Sequence, residues 1–262
     1  RFRAQREERP RPPRERPARS GEATVARGGL NVPTEGWRAA GAGLVAAILL
    51  SWFPFLAFIL SPFLTLAHEL GHTAVLWLFG YPAIPAFDFA NGGGVTLSDL
   101  EREPSIVLGW AAGAAVLGWW QRERRALLVA LAAFAGLYVW TYDSTREALA
   151  IALGGHAGEW LFGVLFLYRA LTGWGCKVKA EQPLYGFLAF MILFSGLRLG
   201  YSLAHDPMAK YWYLQGKGGI DHDLVTGAQI LSLRLETLAT AMTAHFALAI
   251  PLAIFAAGRR HS

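Results

Sequence analysis

His68, Glu69 and His72 fall within the run LTLAHELGHTAVLWLFG. On a helix, positions i and i+4 share a face and lie about 6 Å apart along the axis. Two imidazoles so placed can grip one tetrahedral zinc ion. Glu69 is turned about 100° from His68, where it can approach a zinc-bound water without being a ligand. Zinc lowers the pKa of such a water, and the carboxylate takes its proton as a carbonyl is attacked. The expected chemistry is zinc-dependent hydrolysis, with His68 and His72 as metal ligands and Glu69 as catalytic base. The pattern also arises by chance, or as a polar cluster between helices. Its setting in an otherwise uncharged apolar run argues for zinc, because ionisable groups at hydrocarbon depth are costly and face protein or a wet cavity.

Two imidazoles need a third partner from elsewhere in the chain. His68 and His72 lie about 12–18 Å below the end of their helix. In the later apolar segment IALGGHAGEWLF, His156 and Glu159 form an HxxE pair on one helix face, about 16 and 21 Å from the helix start. His156 is expected as a ligand, with Glu159 as a ligand or as the acceptor of an imidazole N–H, and the two roles are interchangeable. Gly154, Gly155 and Gly158 would let another helix approach closely. His245 is a rival at about 14 Å by the same counting; it is otherwise a packing residue or a donor to an oxyanion. Asp221-His222-Asp223 has the composition of a metal site, but reads as a solvated turn unless its loop folds back into the cavity.

The elements that must position these groups are apolar helices. Hydrophobic residues make up 54% of the chain and charged ones 16%, with a mean hydropathy of +0.32. That is too little charge to cover a soluble domain, and the apolar stretches reach the length of a bilayer crossing. The fold class expected is all-α: a polytopic membrane protein of about seven transmembrane helices. The spans fall at about 39–60, 63–80, 104–120, 126–142, 145–171, 183–204 and 236–257, with a break at Ser61-Pro62. Trp119, Trp120, Trp140, Tyr142, Trp174 and Tyr201 sit at helix ends, the interfacial depth that aromatic residues prefer. Asp143 and Asp206 read as interface residues, and Arg198 is placed to snorkel. Basic residues occur on both faces, so the positive-inside rule gives no single orientation.

Residues 1–38 form an Arg- and Pro-rich tail that cannot bury enough surface to fold alone, followed by a membrane domain over 39–258. The tail reads as solvated, or as a polybasic segment touching anionic lipid. It lacks the aromatic interleaving of a nucleic-acid binder, so no nucleic acid is expected as partner. The first apolar segment is long enough to stay in the membrane, so it does not read as a cleavable signal peptide. Cys176 is the single cysteine, which excludes an internal disulfide and a cysteine zinc site. After the HExxH helix comes FDFANGGGVTL. Its glycines Gly92, Gly93 and Gly94 make either a flexible turn or a short strand whose open edge pairs with an extended substrate.

The sequence LAHELGHTAVLWLFGYP, followed by a Gly-rich stretch and the small-residue helix LGWAAGAAVLGWW, resembles the site-2 protease class of intramembrane zinc metalloproteases, in particular its compact bacterial members. The resemblance covers about residues 60–120. It implies that His68 and His72 hold Zn2+ and that Glu69 is the base. It also implies membrane protein or peptide substrates in a lipid bilayer, and a multi-pass location in a bacterial cytoplasmic membrane. That class takes a third ligand from an Asp in a later membrane helix, within an Asp-Gly pattern. No such Asp stands in a predicted helix here, so His156 or Glu159 would substitute. The expected function is hydrolysis of peptide bonds within or next to the membrane. The alternative is a non-enzymatic protein that binds or transports a divalent metal, since clustered His, Glu and Asp at mid-depth also suit a transport path.

Overall fold

The computed structural model describes residues 32–88, 93–216 and 221–260. Gly92 and the tail up to residue 31 therefore lie outside the described residues. The chain is mostly helical, in the order α1 (Thr34–Ser51), α2 (Pro54–Leu78), β1 (Ala83–Phe87), β2 (Gly94–Ser98), α3 (Pro104–Trp120), α4 (Arg125–Thr141), α5 (Thr145–Thr172), α6 (Glu181–His205), α7 (Pro207–Leu214), α8 (Asp223–Leu231) and α9 (Leu235–Arg260).

Of the described helices, α5, α6 and α9 are long and apolar enough to cross a membrane. The 28 residues of α5 rise about 42 Å, against a hydrocarbon core of about 30 Å. α3 and α4 are apolar but shorter, at 17 residues each. Seven crossings are thus not seen as such, although the later expected spans coincide with α3, α4, α5, α6 and α9 to within a few residues. Large apolar side chains such as Trp110, Val129, Val139, Leu161 and Leu248 are more than half exposed. Water would not tolerate so much contiguous apolar surface, and a bilayer would.

The first two segments depart from expectation in an instructive way. The expected helix 39–60 and the expected break at Ser61-Pro62 are both displaced. α1 begins at Thr34, inside the segment read as tail. It ends at Ser51, because Pro54 opens a new helix and holds Phe53 extended at φ −105°, ψ 100°. α2 then runs through Pro62. A proline inside a helix frees the carbonyl four residues back. Here that carbonyl belongs to Phe58, and the Ser61 hydroxyl donates to it at 2.8 Å. Ser61, read as part of the break, is what allows the helix to continue.

The core forms where α6 packs on α1, α5 and α9, and α5 on α2. Leu167, Leu171, Ile192, Leu193 and Phe246 are wholly buried there. On α9 the inward residues Met242, Phe246, Ala249 and Ala253 recur every three or four positions, the period of a helix face. β1 and β2 pair antiparallel as a hairpin lying against α2, with Pro85 opposite Thr96 and Phe87 opposite Gly94. The loop beyond β2 is pinned to α5 by Arg102, which donates to Tyr81 Oη at 2.9 Å and to the buried Glu147 at 2.8 Å. Asp143, at φ 52°, donates its backbone N–H to the same Glu147 carboxylate at 2.7 Å.

Candidate metal centre

Four separate stretches of chain build the centre. α2 carries His68, Glu69 and His72, and α5 crosses it at the closest approach glycine permits. A Cβ at Gly71 would stand 2.3 Å from the Gly154 carbonyl oxygen, and one at Gly158 2.5 Å from the Gly71 Cα. A Cβ at Gly155 would fall 2.4 Å from His68 Nε2 and 2.5 Å from His72 Nε2. The glycines expected to admit another helix do so, and the helix they admit is α2. Gly155 leaves the space into which the imidazoles point.

Each imidazole of α2 has its two nitrogens committed to different neighbours. His72 Nδ1 lies 2.8 Å from the Ile151 carbonyl oxygen, which fixes it as the protonated nitrogen. His68 Nδ1 lies 3.4 Å from Glu159 Oε2. Both Nε2 atoms therefore turn the same way, 3.1 Å apart. The third atom in that space is Oδ2 of Asp223, at 2.7 Å from His68 Nε2 and 3.0 Å from His72 Nε2. Ligands about 2.05 Å from one tetrahedral ion stand about 3.3 Å from each other. The observed triangle is such a face slightly contracted. Two nitrogens with their opposite N–H groups satisfied, plus one carboxylate oxygen, make a donor set that suits zinc.

Asp223 reaches this point because its loop does fold back. It is the first residue of α8, a short helix whose Leu224, Val225 and Ala228 are buried. Gly227 lets α8 sit against α5, where an added Cβ would meet Leu153 at 3.0 Å. Of the triad read as a turn, only Asp223 enters the site. Asp221 accepts from Gln229 at 3.4 Å on the surface, and the His222 ring stacks on Tyr213 at 4.3 Å. Burial first, then the Asp223 carboxylate, push the Tyr213 phenol up, so it remains a neutral hydroxyl beside the site.

His156 and Glu159 lie on the opposite edge of the His68 ring from this triangle. His156 Nδ1 is 2.9 Å from Glu159 Oε2, and its ring is 4.8 Å from that of His68. His156, Glu159 and His68 make a second group of ligand atoms within 4.8 Å of one another. His156 Nε2 is buried and meets no hydrogen-bond partner among the described residues. Glu159 thus faces the Nδ1 side of His68, away from Asp223. His245 does not join either group. It is rotated away from the inward face of α9, exposed, and stacked on Trp160 at 4.5 Å.

No family model, curated protein or solved structure matches the chain. Glu69 is 6% exposed, and its Oε2 accepts the hydroxyl of Thr96 on β2 at 2.7 Å. Gly94 lies against the same side chain, where a Cβ would stand 2.5 Å from Glu69 Cγ and Oε1. Gly93 takes φ 91° just before β2. Sequence reading missed the position of Asp223; the spacing of Leu224, Val225 and Ala228 behind it fits a short amphipathic helix, over too few residues to stand out. It missed Thr96 altogether, and nothing in the sequence singles that threonine out.

Proposed function

We propose that the chain is a membrane-embedded zinc metalloprotease of the site-2 protease type, hydrolysing peptide bonds within or next to a bilayer. The observation that carries this reading is the convergence of His68 Nε2, His72 Nε2 and Asp223 Oδ2 to within 3.1 Å, with the buried Glu69 adjacent to His68 on α2. His68, His72 and Asp223 would hold the metal. Asp223 then takes the place of the later-helix Asp in that class, although Leu224 rather than Gly follows it. His156 and Glu159, expected as substitutes for that Asp, act instead through His68. Bound zinc supplies Lewis acidity, which lowers the pKa of a water and polarises a carbonyl.

The remaining work falls to the protein's own groups. Glu69 accepts the proton of the attacking water and passes it to the departing amine nitrogen. The Ile151 carbonyl and Glu159 keep the imidazoles in register. The hairpin supplies an edge for an extended peptide. Asp88 and Gly93 form a hydrogen-bonded pair, so by alternation the backbone groups of Gly94, Thr96 and Ser98 point outward from β2. The outer edge of β1 is blunter: Pro85 has no N–H, and the Ala83 carbonyl already accepts the Trp77 indole at 2.7 Å. A substrate strand adds to β2. Three helices long and apolar enough to cross a membrane support a multi-pass location for this site, and the resemblance to compact members supports a bacterial cytoplasmic membrane.

The test is made on purified full-length protein in detergent, with fluorescein-labelled casein as probe. Stoichiometric zinc is expected, and Glu69→Gln is expected to lower the rate about 100- to 10,000-fold while zinc stays bound. Folded protein that takes up no zinc, or a Gln variant as active as wild type, overturns the reading. The two ligand groups that share His68 favour one rival, a path for a divalent metal. That rival requires metal uptake into vesicles that survives Glu69→Gln and is lost in His68→Ala.

A further inference from the structure

Thr96 is not accounted for by metal binding or by strand pairing, yet it touches the group on which hydrolysis depends. Its hydroxyl has one proton and two oxygens within reach, both on Glu69: the side-chain Oε2 at 2.7 Å and the main-chain carbonyl at 3.2 Å. The carbonyl already accepts the Thr73 hydroxyl at 2.8 Å. The short contact to Oε2 is therefore the one that uses the Thr96 proton. Gly94, two residues earlier on the same face of β2, brings the strand backbone against the same carboxylate.

We propose that Thr96 is a positioning residue for the reaction, holding the Glu69 carboxylate by one oxygen so that the other is presented to the attacking water. This rests on the hydrolase reading above and adds a residue to it. A carboxylate on a two-carbon stem has three torsions, and a buried one without a fixed donor would swing between rotamers. Hydrogen bonds to ionised groups are short and directional, so a single hydroxyl suffices to select one rotamer. The backbone of Thr96 meanwhile lies on the outer edge of β2, which pairs with no further strand among the described residues. A peptide that pairs with this edge seats against the same residue that orients the base, so the docking of substrate and the aim of the base share one anchor.

The experiment compares Thr96→Val, which keeps the shape and removes the hydroxyl, with Thr96→Ser, which keeps the hydroxyl. Casein hydrolysis by the zinc-loaded full-length protein is expected to lose about 10- to 100-fold in kcat in the Val variant, the worth of one hydrogen bond to a charged group. KM should change less than about twofold, zinc content should not change, and Ser should restore the rate. A second readout does not depend on activity. In glutamate-labelled protein, the infrared carboxylate band that disappears in Glu69→Gln should shift in Thr96→Val and return in Thr96→Ser. An unchanged kcat in the Val variant, a loss confined to KM, or an unmoved band overturns the proposal. If Glu69→Gln is itself as active as wild type, the hydrolase reading fails, and the band alone decides whether Thr96 orients Glu69.

Discussion

The glycines of α5 and those of α3 occupy opposite surroundings. Gly154, Gly155 and Gly158 lie so close to α2 that an added Cβ would stand 3.1 Å or less from another atom at each. On α3, Gly109 and Gly113 have nothing within 4 Å of where a Cβ would sit, and no residue of α3 or α4 is buried. By composition α3 is the better candidate for tight helix packing, with small residues throughout WAAGAAVLG. The contrast teaches that small residues confer only the capacity for close approach. A partner with matching gaps must supply the rest, and Gly71 does so for α5. Largely uncovered by the described residues, α3 and α4 present a surface that lipid chains would cover as readily as another helix.

Substitutions on the two sides should therefore differ sharply, and the largest effect is expected at the metal triangle. Asp223→Ala removes one of the three atoms proposed to hold the metal. Zinc affinity should fall by more than about 100-fold, beyond the range for a supporting residue. Zinc titration against a chelator measures this, and retention of tight zinc would show that the triangle is not the site. Glu159→Gln comes next. It keeps the volume but weakens the acceptor facing His68 Nδ1, so affinity should fall about 10- to 100-fold. An effect as large as that of Asp223→Ala would make Glu159 a ligand instead.

Third is Gly158→Ala, which forces a methyl to within 2.5 Å of the Gly71 backbone. Overpacking of this kind costs about 1–3 kcal/mol, and thermal unfolding in detergent should show it. Smallest is Gly113→Ala, which meets open space and should be neutral or stabilise by up to about 1 kcal/mol through helix propensity. A large loss at Gly113 would mean that a partner helix covers α3.

The legibility of these features in the sequence follows the range of the interaction that sets them. α3, α5, α6 and α9 are visible as apolar runs because their boundaries depend on local composition. The pair of imidazoles on α2 is visible because helix geometry relates residues four apart. The depth match between His68 and His156 also emerged from counting 1.5 Å per residue, and the rings do lie together. What counting along an axis cannot give is rotation about it, which is why His245 read as a rival and stands outside. Asp223 was obscured for a different reason. α8 has only nine residues, too few to stand out as a periodic segment, and its place is fixed by packing on α5. The break between α1 and α2 was misplaced because the Ser61 hydroxyl compensates Pro62 across one turn, a repair that residue propensities do not contain.

The ligand atoms of the centre are separated by 151 residues of chain, from His72 to Asp223. During synthesis α2 leaves the ribosome long before α8 does. For most of that interval a nascent chain holds two imidazoles and a base but lacks the acidic group that closes the triangle. Under the proposed chemistry, a newly made hydrolase cannot cut its neighbours at the insertion machinery until the segment that carries Asp223 has been delivered as well.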